Sequence, residues 1–278
     1  MADTFALTAR EFGGAIRPTY PFDVMKTHAH LLLILALLSS AIAGTAAGDS
    51  RCYEMRTYYA APGKLEDLQS RFRDHTCKLF EKHGVINIGY WIPLENPESK
   101  LIYILAYPSR EAREQSWKAF MADPAWQEAY KKSEENGKLV AKAESVFLTA
   151  TDYSPEIKSV PAGSRLFELR TYIATPGHLA DLNARFRDHT LALFKKHGIT
   201  NVAYWNLMPD QKGAADTLVY LLAHASAEAR DASFKAFGQD PEWASARKAS
   251  EEKAGGPLTV KDGVKSVLLK ATDYSPMK

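Results

Sequence analysis

A duplication constrains this chain more than any other feature. Residues 51–58, Arg-Cys-Tyr-Glu-Met-Arg-Thr-Tyr, return at 165–172 as Arg-Leu-Phe-Glu-Leu-Arg-Thr-Tyr, and Arg-Phe-Arg-Asp-His-Thr at 71–76 returns unchanged at 185–190. Between 51–91 and 165–205, roughly 25 of about 41 positions are identical without a gap, far above chance for a fixed offset. The register then slips by a few residues, and both copies close on Ala-Thr-Asp-Tyr-Ser-Pro, at 150–155 and 271–276. A unit of about a hundred residues is present twice, each long enough to bury a core.

Each copy opens with alternation. Tyr53, Met55, Thr57 and Tyr59 share one strand face, and Glu54, Arg56 and Tyr58 the other; Phe167, Leu169, Thr171 and Ile173 oppose Glu168, Arg170 and Tyr172 in the same way. A Pro-Gly turn leads into a helix carrying Leu65, Leu68, Phe72, Thr76, Leu79 and Phe80, stopped at Gly84. Two apolar runs, 85–92 and 101–107, read as a hairpin. A second helical region starts at Ser109 and restarts at Asp123-Pro124, where aspartate caps and proline begins a helix. A strand over 145–151 ends the unit. The order strand, helix, strand, strand, helix, strand is that of a ferredoxin-like sheet with helices on one face. The fold class expected is α+β: two tandem ferredoxin-like (βαββαβ) repeats packed sheet to sheet, with Glu54, Arg56, Glu168 and Arg170 pointing into that junction. Pairing of the repeats within one chain and a homodimer both fit the duplication.

The first fifty residues differ. A polar and basic opening from Met25 leads to the apolar run 31–38 and a small-residue exit, the order of a secretory signal peptide, with cleavage after Ala43 or Ala47. The expected division is a possible upstream extension over 1–24, a signal over 25–47, repeat 1 over 51–155, a linker over 156–164 and repeat 2 over 165–276. The apolar run falls short of the roughly 20 residues of a membrane span, so the expectation is an exported, periplasmic or secreted protein with no stable span after cleavage. An exported chain invites a bridge between its only cysteines, Cys52 and Cys77. Their Cβ vectors are expected to diverge, which argues against it.

With a net charge of +2 and interspersed signs, nothing points to nucleic acid. No Cys-x-x-Cys, His-Glu-x-x-His, Gly-x-Ser-x-Gly or phosphate loop occurs, and potential ligands do not cluster at metal spacing. His75 and His189 lie at the edge of the helix stripe at 100° per residue, so each ring is expected to face the space between helix and sheet, as a base, a carbonyl polariser, an iron ligand or a core histidine. Arg56 with Tyr58, and Arg170 with Tyr172, can hold an anion or simply fix sheet register. Trp91 and Trp205 are expected on one strand face with Asn87 and Asn201, opposite Tyr90 and Tyr204, as pocket wall or core. His83 and His197 suit a helix C-terminus.

An opening Tyr-Glu-x-Arg-x-Tyr strand, the helix set Phe72, His75, Phe80, Gly84 (again Phe186, His189, Phe194, Gly198), a Tyr-Trp strand and Asp-Pro-x-Trp at 123–126 and 240–243 resemble the NIPSNAP family over both repeats. The resemblance implies a dimeric α/β-barrel and no single reaction. Proteins of that barrel type include cofactor-free monooxygenases, isomerases and haem-binding enzymes, and eukaryotic family members are linked to mitochondria and vesicle traffic. Three expectations follow. The first is a barrel binding a small apolar or aromatic ligand, or a protein partner, without turnover or cofactor. The second is a cofactor-free oxygenase or isomerase with His75 and His189 as bases and Arg56 and Arg170 as anion stabilisers. The third is haem binding through one of the histidines.

Overall fold

The alternating segments become strands because β-branched and aromatic residues at period two suit a pleated surface buried on both faces. In a computed structural model, which describes residues 49–157 and 165–278, repeat 1 runs β1 (Cys52–Ala60), α1 (Leu65–Arg71), a π-helical turn (Phe72–Thr76), α2 (Cys77–Lys82), β2 (Ile86–Pro93), β3 (Lys100–Tyr107), α3 (Arg110–Ala122), α4 (Pro124–Ser133) and β4 (Val140–Ala150). Repeat 2 follows as β5 (Leu166–Ala174), α5 (Leu179–Arg185), a second π turn (Phe186–Thr190), α6 (Leu191–Lys196), β6 (Thr200–Leu207), β7 (Thr217–His224), α7 (Ala227–Gln239), α8 (Pro241–Ala254) and β8 (Thr259–Ala271). Ser109 and Asp123 cap α3 and α4 with their side chains, as their spacing predicts. The last strand of repeat 1 starts at Val140, earlier than its apolar pattern suggests.

The strands close in the order β1-β3-β2-β8-β5-β7-β6-β4. Two antiparallel seams join the repeats within the chain: β2 with β8, Trp91 opposite Ala271, and β4 with β6, Ala150 opposite Trp205. Eight strands leave an interior that side chains can just fill. It holds Tyr53, Ile104, Leu148, Phe167, Leu221, Leu269 and both Trp91 and Trp205. The Trp91 ring lies against Gly89, where a Cβ would meet it at 2.3 Å.

The two strand faces are therefore used the other way round from the expectation. Tyr53 and Phe167 fill the barrel, while Glu54, Arg56, Glu168 and Arg170 turn outward beneath the helices. The reason lies in their partners. Arg113 on α3 and Arg230 on α7 each bond a buried carboxylate with two N–H groups, and only the outer face brings a helix within reach. A sealed barrel interior offers no such counter-charge.

A β-bulge between Asn87 and Gly89, repeated between Asn201 and Ala203, overturns a second expectation. The extra residue moves Asn87 to the outer face, where Tyr90 donates to its Oδ1 at 2.5 Å and its amide donates to the Cys77 carbonyl at 3.1 Å. Cys52 is buried and Cys77 partly buried; both are free thiols.

The repeated Ala-Thr-Asp-Tyr-Ser-Pro segments each cross to the other repeat. After β8, the Thr272 N–H donates to the Tyr90 carbonyl (2.9 Å) and the Tyr90 N–H to Ser275 Oγ (3.0 Å). Tyr274 packs on Tyr90 and Phe72, and Met277 is buried in the barrel core. After β4, Thr151 and Ser154 grip Tyr204 identically, and Tyr153 donates to Asn183 at 2.7 Å. The segment expected to link the repeats begins only beyond this grip; residues 158–164, like the signal-like segment and the extension before it, lie outside the described residues.

Candidate functional site

The duplicated hexapeptide Arg-Phe-Arg-Asp-His-Thr holds the key side chains. In its π turn, the Cys77 N–H reaches back five residues to the Phe72 carbonyl, and Thr76 Oγ1 donates to the Arg71 carbonyl at 3.0 Å. Thr190 repeats this on Arg185 at 3.1 Å. A π turn takes more residues per revolution than an α turn, so every fourth residue stays inward. Leu68, Phe72, Thr76 and Phe80 face the sheet, and the residue three after Phe72 swings out. That residue is His75; His189 does the same. Both rings are exposed, against the expectation of an inward imidazole, which assumed 100° per residue.

The residues that do turn inward beside Phe72 and Phe186 are arginines. Arg71 is 5% exposed and Arg185 7%. Arg71 Nη1 donates to Ser133 (3.1 Å) and Glu134 (3.3 Å), while its guanidinium lies 5.5 Å from the Trp126 ring centre and 5.2 Å from Tyr130. Arg185 reaches Glu251 only at 3.5 Å and lies 5.4 Å from Trp243. Nε of each has no hydrogen-bond partner. Burial pushes the Arg185 guanidinium below its ordinary pKa, the Glu251 carboxylate opposing this only in part; an arginine stays charged regardless.

Each arginine lines a cavity between helices and outer sheet face. In repeat 1 the space is about 320 Å³, with Tyr58, Val140 and Ala143 as floor and Phe72, Phe80, Trp117, Phe120, Met121, Trp126 and Tyr130 as walls. In repeat 2 it is about 270 Å³, with Arg170, Tyr172, Thr259 and Val264 below and Phe186, Phe194, Phe234, Phe237 and Trp243 around. Aromatic walls around a desolvated guanidinium, Arg71 in the first cavity and Arg185 beside Arg170 in the second, suit a flat or apolar body with an anionic end.

The expected candidates divide accordingly. Tyr58, Tyr172 and Arg170 line the cavities. Arg56 adjoins the first through Trp117, whose ring centre lies 4.5 Å from its guanidinium. It is fully engaged, by Glu54, Tyr58 at 3.2 Å and Tyr103 at 3.0 Å. Glu54 also accepts from Arg113, Tyr107 and Ser145. Burial alone would raise the Glu54 carboxyl; the bonds from Arg113 and the charge of Arg56 outweigh it and hold it below the ordinary range. Glu168 has the same setting with Arg170, Arg230 and Ser266, and there His224 Nε2 faces it at 3.1 Å in place of a tyrosine. Trp91 and Trp205 sit inside the barrel, and His75 and His189 on the surface; none of the four lines either of these two cavities. His83 and His197 contact the carboxylates that cap α4 and α8, Asp123 at 2.7 Å and Asp240 at 2.6 Å.

Arg71 and Arg185 were missed because arginine reads as a solvated helix residue. Two signals marked them: identity between the copies, and a position three residues after Leu68 and Leu182 on the apolar stripe. Among the described residues no group of three or more His, Cys, Asp or Glu could hold a metal ion, and no helix is long and apolar enough to cross a membrane.

The NIPSNAP family profile matches residues 53–155 and again 167–276. The chain belongs to the NIPSNAP family. Among curated NIPSNAP relatives it is similar to Protein NipSnap homolog 3A from Homo sapiens, 25% identical over 246 residues that span 87% of this chain and 92% of that one. The Pongo abelii protein of the same name is likewise 25% identical over 244 residues. Among solved structures, an anthrone oxidase-like protein superposes with a TM-score of 0.55 at 11% identity, covering 83% of this NIPSNAP chain and 95% of its own. A candidate monooxygenase from Lactobacillus acidophilus gives 0.51 at 10% identity, covering 81% and 98%. At such identities these two structures establish the shared barrel alone.

Proposed function

We propose that this NIPSNAP protein is a binding protein whose two helix–sheet cavities each take a small molecule with an aromatic or apolar body and an anionic group. One observation carries the reading: a buried arginine, Arg71 or Arg185, stands with its Nε unpaired on the wall of a largely aromatic cavity, where a single carboxylate, Glu134 or Glu251, faces it. Leaving that donor desolvated costs about 1–3 kcal/mol, which an incoming carboxylate offsets. Binding is favoured over turnover because neither cavity is lined by an imidazole. The histidines proposed as bases are on the surface, and Arg56 is fully engaged by Glu54 and two tyrosines; Arg170, paired with Glu168, lines the second cavity beside Arg185 with its own Nε unpaired. The structural neighbours described as oxidase-like and monooxygenase-like share the barrel, and fold alone transfers no reaction.

Calorimetric titration with phenylacetate tests this. The intact protein binds two equivalents, Arg71→Leu and Arg185→Leu each remove one, and the double variant binds none. Binding unaltered in the double variant, with thermal unfolding still cooperative, sinks the reading.

The site of action we propose is outside the cytoplasm, on the signal-like order of residues 25–47. N-terminal sequencing of the mature protein from the exported fraction should begin at residue 44 or 48; an intact Met1 or Met25 in the cytosolic fraction contradicts it.

A further inference from the structure

The two cavities are duplicates, but their exits differ. On α3, Met121 lines the repeat 1 cavity; the matching position on α7 is Gly238. Beside Tyr130 in repeat 1 stands Arg247 in repeat 2, the same place on the following helix. A Cβ built on Gly238 meets nothing within 4 Å. The space it leaves belongs to an outer groove of about 600 Å³, floored by Trp243, Ala244 and the Gly255-Gly256-Pro257 turn.

Trp243, Arg247 and Glu251 line both this groove and the inner cavity, so they form the partition between them. Arg247 is the member free to move. Its side chain is 60% exposed and is held by one i,i+4 pair, Nε to Glu251 at 3.1 Å, a weak solvent-screened contact. Glu251 is also the distant partner of Arg185. One carboxylate thus serves two guanidinium groups, one of them buried, and a second anion beside Arg185 releases Glu251 to Arg247 alone. In repeat 1, Glu134 faces Arg71 with a tyrosine where Arg247 would be, and Met121 and Tyr130 close over the aromatic walls.

We propose that the cavities select acids by length, a step that rests on the binding reading above. Repeat 1 takes short aromatic acids that end beneath Met121. Repeat 2 takes long-chain aryl or alkyl carboxylates, the carboxylate at Arg185 and the chain leaving past Trp243, over Gly238, into the outer groove. The groove suits such a chain: an indole face, a proline and glycine backbone give apolar contact, while its two lysine and arginine charges are matched by Glu251 and Glu252.

The test compares phenylacetate with 8-phenyloctanoate by calorimetric titration of the intact protein. Wild type binds two equivalents of the short acid and one of the long. Gly238→Met places a side chain in open space on a helix, where it favours folding, so any loss of binding is not unfolding. It lowers 8-phenyloctanoate affinity about tenfold or more and leaves phenylacetate unchanged. Met121→Gly has the converse effect and brings the long acid to two equivalents. Two equivalents of the long acid in wild type, or none while phenylacetate binds, overturns length selection; so does unchanged affinity in Gly238→Met. In those cases the binding reading survives. Failure of both acids to bind overturns both.

Discussion

Arg73 donates from Nε and Nη2 to both carboxylate oxygens of Asp273, at 2.6 and 2.9 Å, across 200 positions of sequence. The pair marks where the tail of repeat 2 lies on repeat 1, and Arg187 and Asp152 mark the reverse. Both members are partly exposed, so the ion pair itself contributes little: Arg73→Ala should cost less than about 1 kcal/mol. The buried side chain behind it matters more. Met277→Ala should cost about 2–5 kcal/mol in urea denaturation, and equal costs for the two changes would mean that the tail is not packed as described.

The buried carboxylates predict acid sensitivity. Glu54 and Glu168 both titrate below the ordinary range, burial opposing and the hydrogen bonds of Arg113, His224 and Arg230 prevailing. A carboxyl depressed in the folded state supplies its stability above the unfolded value near about 4.3, and that contribution disappears as pH falls towards the folded value. Asp49, brought down to about 2 by its bonds from Arg51, adds a smaller part in the same window. Unfolding midpoints should therefore be flat between about pH 5 and 7 and fall below about 4. Glu54→Gln leaves two guanidinium groups short of a counter-charge and should cost about 3–5 kcal/mol at pH 7. A midpoint independent of pH down to about 3 would contradict the arrangement.

Gly89 and Ala203 occupy matching places on β2 and β6, and the Trp91 ring occupies the place where a Cβ on Gly89 would stand. Gly89→Ala forces Trp91 to shift inside a filled barrel and should destabilise by about 1–3 kcal/mol. Ala203→Gly removes one buried methyl and adds backbone freedom, for about 1 kcal/mol. Guanidinium denaturation of the two variants separates them; Gly89→Ala more stable than wild type would show that Trp91 rests elsewhere.

Cys77 should be a slow thiol. Burial pushes its pKa up to about 11, so at about pH 8 the reactive thiolate is scarce. Iodoacetamide labelling of Cys77 in the native protein should lag far behind labelling in urea, and equal rates would place this residue in solvent.

His75→Ala and His189→Ala should change stability by no more than about 0.5 kcal/mol and leave phenylacetate affinity untouched, since both rings are exposed and outside the cavities. A loss of affinity in either variant would bring the imidazoles back into the site.

Much of this was legible in the sequence. The duplication, the strand and helix order and the capping at Ser109 and Asp123 follow from period and local chemistry, and these give two sheets set face to face; the barrel was what the family resemblance implied, and the seams that close it are β2 with β8 and β4 with β6. Alternation also grouped Glu54 with Arg56 and Tyr58 correctly. It could not say which group faced the barrel, because strands here are covered on both sides and the deciding partner, Arg113, is 59 residues away. A single bulged residue turned Asn87 to the side of Tyr90, and a single wide helical turn exchanged His75 for Arg71 beside Phe72. Both are one-residue departures from ideal periods. Period-based reading carries such an error to every later residue of the element, and both departures fall where the site is built.

The crossed tails give the chain a test of its own completeness. A product ending after repeat 1 would still carry Tyr153 and Ser154, yet it would lack Tyr274 and Ser275, so the Tyr90 amide and the Phe72 ring would stand uncovered beside the open edge of β2. Truncated copies would thus present an unpaired strand to one another, and the Tyr153-Ser154 tail of each would be left to cover the Tyr90 of a second copy.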